Sequence, residues 1–127
     1  MAIGSGALRS NTTGAFNMAI GTEALRDNTA NFNLAIGYRV GFTNSTGRHL
    51  TGIGAAALQF NTTASFNTAV GAAALQDNTV TEFNVAVGDA ALGNFNGTTG
   101  NEGATRRSVI LWRGAVRLLQ APSGSVA

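Results

Sequence analysis

The chain has 127 residues, no cysteine and only 11% charged residues, with a formal net charge of +2. That length fits one domain, and the cysteine count excludes a disulfide framework and a thiolate metal site. All eight basic residues are Arg, and Arg106, Arg107, Arg113 and Arg117 cluster near the C-terminal end, leaving four Arg against five acids before residue 101; this balance excludes a phosphate-binding surface and nucleic acid as a partner.

From its start the chain repeats one phrase: Ala2-Ile3-Gly4, Ala19-Ile20-Gly21, Ala35-Ile36-Gly37, Gly52-Ile53-Gly54, Ala69-Val70-Gly71 and Ala86-Val87-Gly88. The glycines are 17, 16, 17, 17 and 17 residues apart. A fixed period of this length is the signature of stacked repeats. Other columns travel with the glycine. Leu8, Leu25, Leu58, Leu75 and Leu92 follow it, each preceded by Ala, and then come Asn11, Asn28, Asn44, Asn61 and Asn78. Asn17, Asn33, Asn67 and Asn84 precede the next phrase, each behind a Phe: Phe16, Phe32, Phe66 and Phe83.

Each repeat reads as two short strands, for example Asn17–Gly21 and Ala24–Arg26, separated by Asn, Thr, Gly and Asp turns. Successive copies are expected to stack as parallel strands at about 4.8 Å per coil. The Ile/Val column (Ile3, Ile20, Ile36, Ile53, Val70, Val87) and the Leu column are both expected inside, closing a thin core. Stacked Asn amides, which both donate and accept, are expected to bond coil to coil and to turn backbone at the corners. The Phe column is expected to stack as offset rings.

The coil from Tyr38 to Gly54 departs from the pattern. It carries Val40-Gly41 for Ala-Leu, Leu50 for Asn and Gly52 for Ala, and it brings Tyr38, Arg39, Arg48 and His49. It reads either as a drifted repeat or as a bulge presenting these four residues as a ligand-contact patch. The sixth coil keeps Leu92 and then fades. Residues 1–100 thus form the repeat domain, with five full coils and a degenerate sixth. Residues 101–127 form a non-repeat tail, read as a cap, a basic amphipathic segment or foreign sequence, with a lean to the last. The chain opens in mid-repeat, as a fragment of a longer protein would. It shows no signal-peptide pattern and no apolar run near the ~18 residues of a membrane span.

The phrases Asn-Met-Ala-Ile-Gly (17–21), Asn-Leu-Ala-Ile-Gly (33–37), Asn-Thr-Ala-Val-Gly (67–71) and Asn-Val-Ala-Val-Gly (84–88) resemble the head repeat of trimeric autotransporter adhesins of the YadA type. With Ala-Leu and Asn-Thr-Thr between them, they are also similar to repeats of bacteriophage and bacterial trimeric fibre proteins. The resemblance covers about residues 2–100. It implies an all-β fold, a parallel β-solenoid in the form of a left-handed β-roll of 16–17-residue coils, assembled as a side-by-side homotrimer. It further implies display on a cell or virion surface and attachment to a host surface glycan or matrix protein. The strand carrying Ala19, Ala35, Ala69 and Ala86 would face the trimer axis. A repeat longer than that of the adhesin head favours the fibre-protein branch.

Chemistry finds little purchase. One His and no Cys suggest no nucleophile–base pair, and no cofactor or metal set is indicated. Asp27 and Asp77 share a column but lie three coils apart, about 14 Å by strand spacing, beyond the reach of a carboxylate pair. The reading is therefore a non-enzymatic adhesive segment of a surface fibre. The alternatives are a non-binding shaft or a polysaccharide-active spike.

Overall fold

The computed structural model describes residues 1–94 and the backbone of residues 108–110. Seven short strands form one parallel sheet in chain order: β1 (Ala2–Ile3), β2 (Met18–Ile20), β3 (Leu34–Ile36), β4 (Thr51–Ile53), β5 (Thr68–Val70), β6 (Asn84–Val87) and β7 (Ser108–Ile110). The first six repeat at about 17 residues, so the chain is a β-solenoid of about five turns. Register follows the repeat: Ala19 pairs with Ala35 and Ile20 with Ile36, and Ala35 pairs with Gly52 and Ile36 with Ile53. Ala69 pairs with Ala86 in the same way.

The strand's orientation corrects one expectation. The Ile/Val column lies on the outer face: Ile3 is exposed, and Ile20, Ile36, Ile53, Val70 and Val87 are half-buried. The inner position belongs to Ala19, Ala35, Ala69 and Ala86, which are fully buried. Side chains alternate along a strand, and a shift of one residue exchanges the faces completely. Space decides the outcome. At Gly52, which shares the Ala column, a Cβ would already touch Leu58 Cδ1 at 3.4 Å. The cross-section holds a methyl beside the Leu column, not a branched side chain. Leu25, Leu58 and Leu75 do form the inner spine, with Leu8 and Leu92 partly buried at its ends.

The expected second strand is instead a stack of turns. Residues 22–27 and their equivalents alternate their hydrogen bonds: Leu25 N–H donates to the next coil at Val40 O (2.8 Å), whereas Ala24 N–H closes a local turn onto Gly21 O (3.2 Å). The same alternation holds Leu58 to Ala74 and Leu75 to Ala91. The Leu column adopts the left-handed conformation, with φ of 51, 49, 53, 49 and 51° at Leu8, Leu25, Leu58, Leu75 and Leu92. Such a φ is unfavourable for Leu; burial of the side chain and the inter-coil hydrogen bonds hold it there. The repeating glycine has its own reason. Gly21 lies at φ 131°, and a Cβ there would stand 2.4 Å from Gly37 O.

The Asn columns bond coil to coil and to turn backbone as expected, and apart from the half-buried Asn11 of the first coil they are buried. Asn44 Nδ2 donates to Asn28 Oδ1 (2.6 Å) and Gly47 O (2.8 Å). Asn61 Nδ2 donates to Asn44 Oδ1 (2.8 Å) and Ala64 O (3.0 Å). Asn78 continues the ladder to Asn61 and Thr81. In the second column the side-chain oxygen of one coil accepts the backbone N–H of the next, as from Asn33 to Asn17 and Asn84 to Asn67. Asn33 Nδ2 also reaches Asn28 Oδ1, tying the two columns together. Fully buried amides are tolerated because nearly all are paired. The 16-residue coil drops its residue in this turn: Asn28 Nδ2 closes onto Ala30, two residues on, where Asn44, Asn61 and Asn78 close onto the third.

The Tyr38–Gly54 coil is not a bulge. β4 pairs in register with β3 and β5, and the substitutions compensate one another. Val40 is buried where other coils have Ala, and Gly52 opposite it lacks the methyl that would stand 2.4 Å from Val40 Cγ1. Gly41 replaces a Leu, and Leu50 joins the core in place of an Asn. At the far end, β7 pairs with β6 through Asn84–Ser108, Val85–Val109 and Ala86–Ile110, continuing the sheet beyond the repeats. The remainder of the tail lies outside the described residues.

Candidate functional site

Two columns of the strand point outward. The Ile/Val column is one; Met18, Leu34, Thr51, Thr68 and Val85 are the other, paired in register. Beside them runs the aromatic column. Phe16, Phe32, His49, Phe66 and Phe83 stack with ring centroids 5.0 Å apart at every step and planes within 7° of parallel. His49 therefore takes the Phe position of its coil. All five have φ between 55 and 61°, and backbone bonds such as Phe32 N–H to Ala15 O (3.1 Å) and Phe66 N–H to Arg48 O (3.0 Å) keep the rings in step. Phe16 remains 79% exposed, and Phe32 and Phe66 are also exposed. A groove of about 440 Å³ runs between the two features, lined by Phe16, Met18, Phe32, Leu34, His49 and Thr51. The result is a largely apolar face along the stack, interrupted by Thr51, Thr68 and His49. Patches of this kind on a water-soluble surface mark places where another surface docks.

The four residues read as a contact patch lie in two places on their coil. Tyr38 and Arg39 belong to the turn after β3, where Arg39 Nε donates to Glu23 Oε2 (2.6 Å) and the guanidinium lies over the Tyr38 and Phe42 rings at 5.2 and 4.8 Å. His49 belongs to the aromatic column, and Arg48 lines a separate polar groove. Asp27 is engaged as well: Arg26 Nε and an Nη donate to its two carboxylate oxygens at 2.9 and 3.0 Å. That hydrogen bonding raises the Arg26 pKa above its ordinary value, and the guanidinium also covers the Phe42 ring at 3.7 Å. Among the described residues no group of three or more His, Cys, Asp or Glu could hold a metal ion. None of their helices is long and apolar enough to cross a membrane. Asn44 and Asn61, formal glycosylation acceptors by sequence, are fully buried with their amides committed to the ladder.

Comparison with family models, curated proteins and solved structures finds no match.

The residues the sequence reading passed over are Met18, Leu34, Thr51, Thr68 and Val85, the second outward column. Their signal was the strand's period of two, which places them on the same face as Ile20, Ile36, Ile53, Val70 and Val87. Once Ala is inside, both neighbours must be outside.

Proposed function

We propose that this chain is a structural segment of a homotrimeric surface fibre, in which three left-handed β-rolls pack side by side and the fibre serves attachment. The observation that carries this reading is the outward strand face joined to the stacked aromatic column. Packing two further copies against it buries Ile36, Ile53, Val70 and their neighbours, at about 25 cal/mol per Å² of apolar surface removed from water. It also suits a roll whose own apolar interior is thin, made of two Ala columns and one Leu spine with Val40 and Leu50. No catalytic step belongs to this reading.

Light scattering on the purified chain tests it: a particle of three times the 12.9 kDa chain mass is expected. A monodisperse single-chain particle at micromolar concentration contradicts it. A second reading, a shaft that only spaces a distal binding tip, draws support from the dispersal of Tyr38, Arg39, Arg48 and His49 over different columns. A glycan and matrix-protein array separates the two, because an adhesive segment retains ligand by itself and a shaft does not.

A further inference from the structure

The polar turn face offers a different opportunity from the apolar one. A groove of about 400 Å³ is lined there by Thr29, Asn31, Thr46, Arg48, Thr63 and Ser65. Its residues come from three successive coils, so polar side chains recur at about the 4.8 Å strand spacing. Arg48 is exposed, and among the described residues no carboxylate comes within ion-pair distance of it; the ion pairs there belong to Arg26 and Arg39. Arg48 is anchored from behind by its backbone, whose N–H donates to Ser65 Oγ (3.1 Å) and whose carbonyl accepts from Phe66 N–H. Asn31 Oδ1 accepts from Ala15 N–H (2.7 Å), which turns its oxygen inward and leaves the Nδ2 amide as a donor. Thr29 is spent on Ser45 O (3.0 Å). The hydroxyls of Thr46 and Thr63 remain to donate. The nearest acid in the Arg48 column is Glu82, two coils away, about 10 Å by strand spacing.

We propose that this groove is a binding site for an acidic saccharide, whose sulfate or carboxylate group pairs with the Arg48 guanidinium while its hydroxyls meet Asn31, Thr46 and Thr63. An Arg presents a planar fork of donors that matches such oxyanions two bonds at a time. The lining side chains contribute further donors and no carboxylate, and Glu82 stands one coil beyond Ser65. The site rests on the attachment reading above and names the class of ligand that the fibre would hold.

The test is an amide NMR titration of the full chain with three probes: a heparin tetrasaccharide, its desulfated N-acetylated form and neutral chitotetraose. The first is expected to shift the amides of Asn31, Thr46, Arg48 and Thr63. Arg48→Gln should weaken binding about tenfold, the worth of a charge-assisted contact. Arg9→Gln removes the same charge from another exposed turn and should leave affinity within about twofold. Response to the desulfated probe assigns the carboxylate, and response to the sulfated probe alone assigns the sulfate. Equal response to chitotetraose, shifts confined to residues 106–117, or equal weakening by both Arg variants overturns the proposal. Light scattering on the same samples separates the two readings: a trimer that does not respond removes only this site, and a monomer that responds removes only the fibre.

Discussion

The Val40–Gly52 pair offers a quantitative test of how the irregular coil packs. Val40→Ala removes two buried methyl groups beside a glycine that cannot fill the gap. Transfer alone is worth about 1.6 kcal/mol, and the residual cavity brings the loss to about 2–3 kcal/mol. Gly52→Ala places a Cβ 2.4 Å from Val40 Cγ1, well inside contact distance, at a position without positive φ. The penalty there is overpacking, about 1–3 kcal/mol. The double variant recreates the Ala24–Ala35 arrangement of the preceding coil, in which both residues are buried without conflict. It should cost at least about 2 kcal/mol less than the sum of the single variants. Thermal unfolding followed by circular dichroism reads this directly, because about 1 kcal/mol shifts the midpoint of a domain this size by about 4–8 °C. Additivity within about 0.5 kcal/mol would refute the compensation argument.

Further outcomes follow from individual columns. Gly21→Ala should destabilise by about 3 kcal/mol, since it combines positive φ with collision against the next coil's backbone; a midpoint unchanged within error would show that the coils can part there. Asn61→Ala strands the Asn44 oxygen and the Ala64 carbonyl and should cost about 2–4 kcal/mol. Asn61→Asp should be worse still at pH 7 and partly recover near pH 4. Burial raises the folded-state pKa of such a carboxyl, so its penalty grows as pH rises above the unfolded value. His49→Phe completes the aromatic column and should leave stability unchanged or raise it by up to about 1 kcal/mol; a clear fall in the midpoint would assign His49 a role beyond stacking. Ile36→Asp, on the outer strand face, should leave the circular dichroism of the roll intact while reducing particle mass in light scattering.

The period, the register and the identity of the columns were all legible in the residues, because a parallel stack puts like on like. Which face of the strand looks inward was not legible. In Met18-Ala19-Ile20 or Leu34-Ala35-Ile36 both outer positions are as apolar as the inner one, so hydrophobicity gives no contrast and size alone decides. The stacked turns were hidden for another reason. Leu rarely adopts positive φ, and Ala-Leu reads naturally as a strand. Two clues were present: Gly41 stands in the Leu column and Gly6 in the column of Glu23, Arg39 and Ala56, all at positive φ. Glycine in a column of other residues marks a left-handed position. His49 was set apart by chemistry when its spacing of 17 residues from both Phe32 and Phe66 placed it in their stack.

The absence of cysteine from the sequence makes it possible to ask which face is covered. A single cysteine placed as Ile36→Cys, and separately as Thr22→Cys on an exposed turn, can be treated with a short trifunctional maleimide at low protein concentration. If three chains meet through the outward strand face, the first variant yields a three-chain covalent species and the second remains a single chain. Single chains from both, or equal cross-linking of both, would contradict the account.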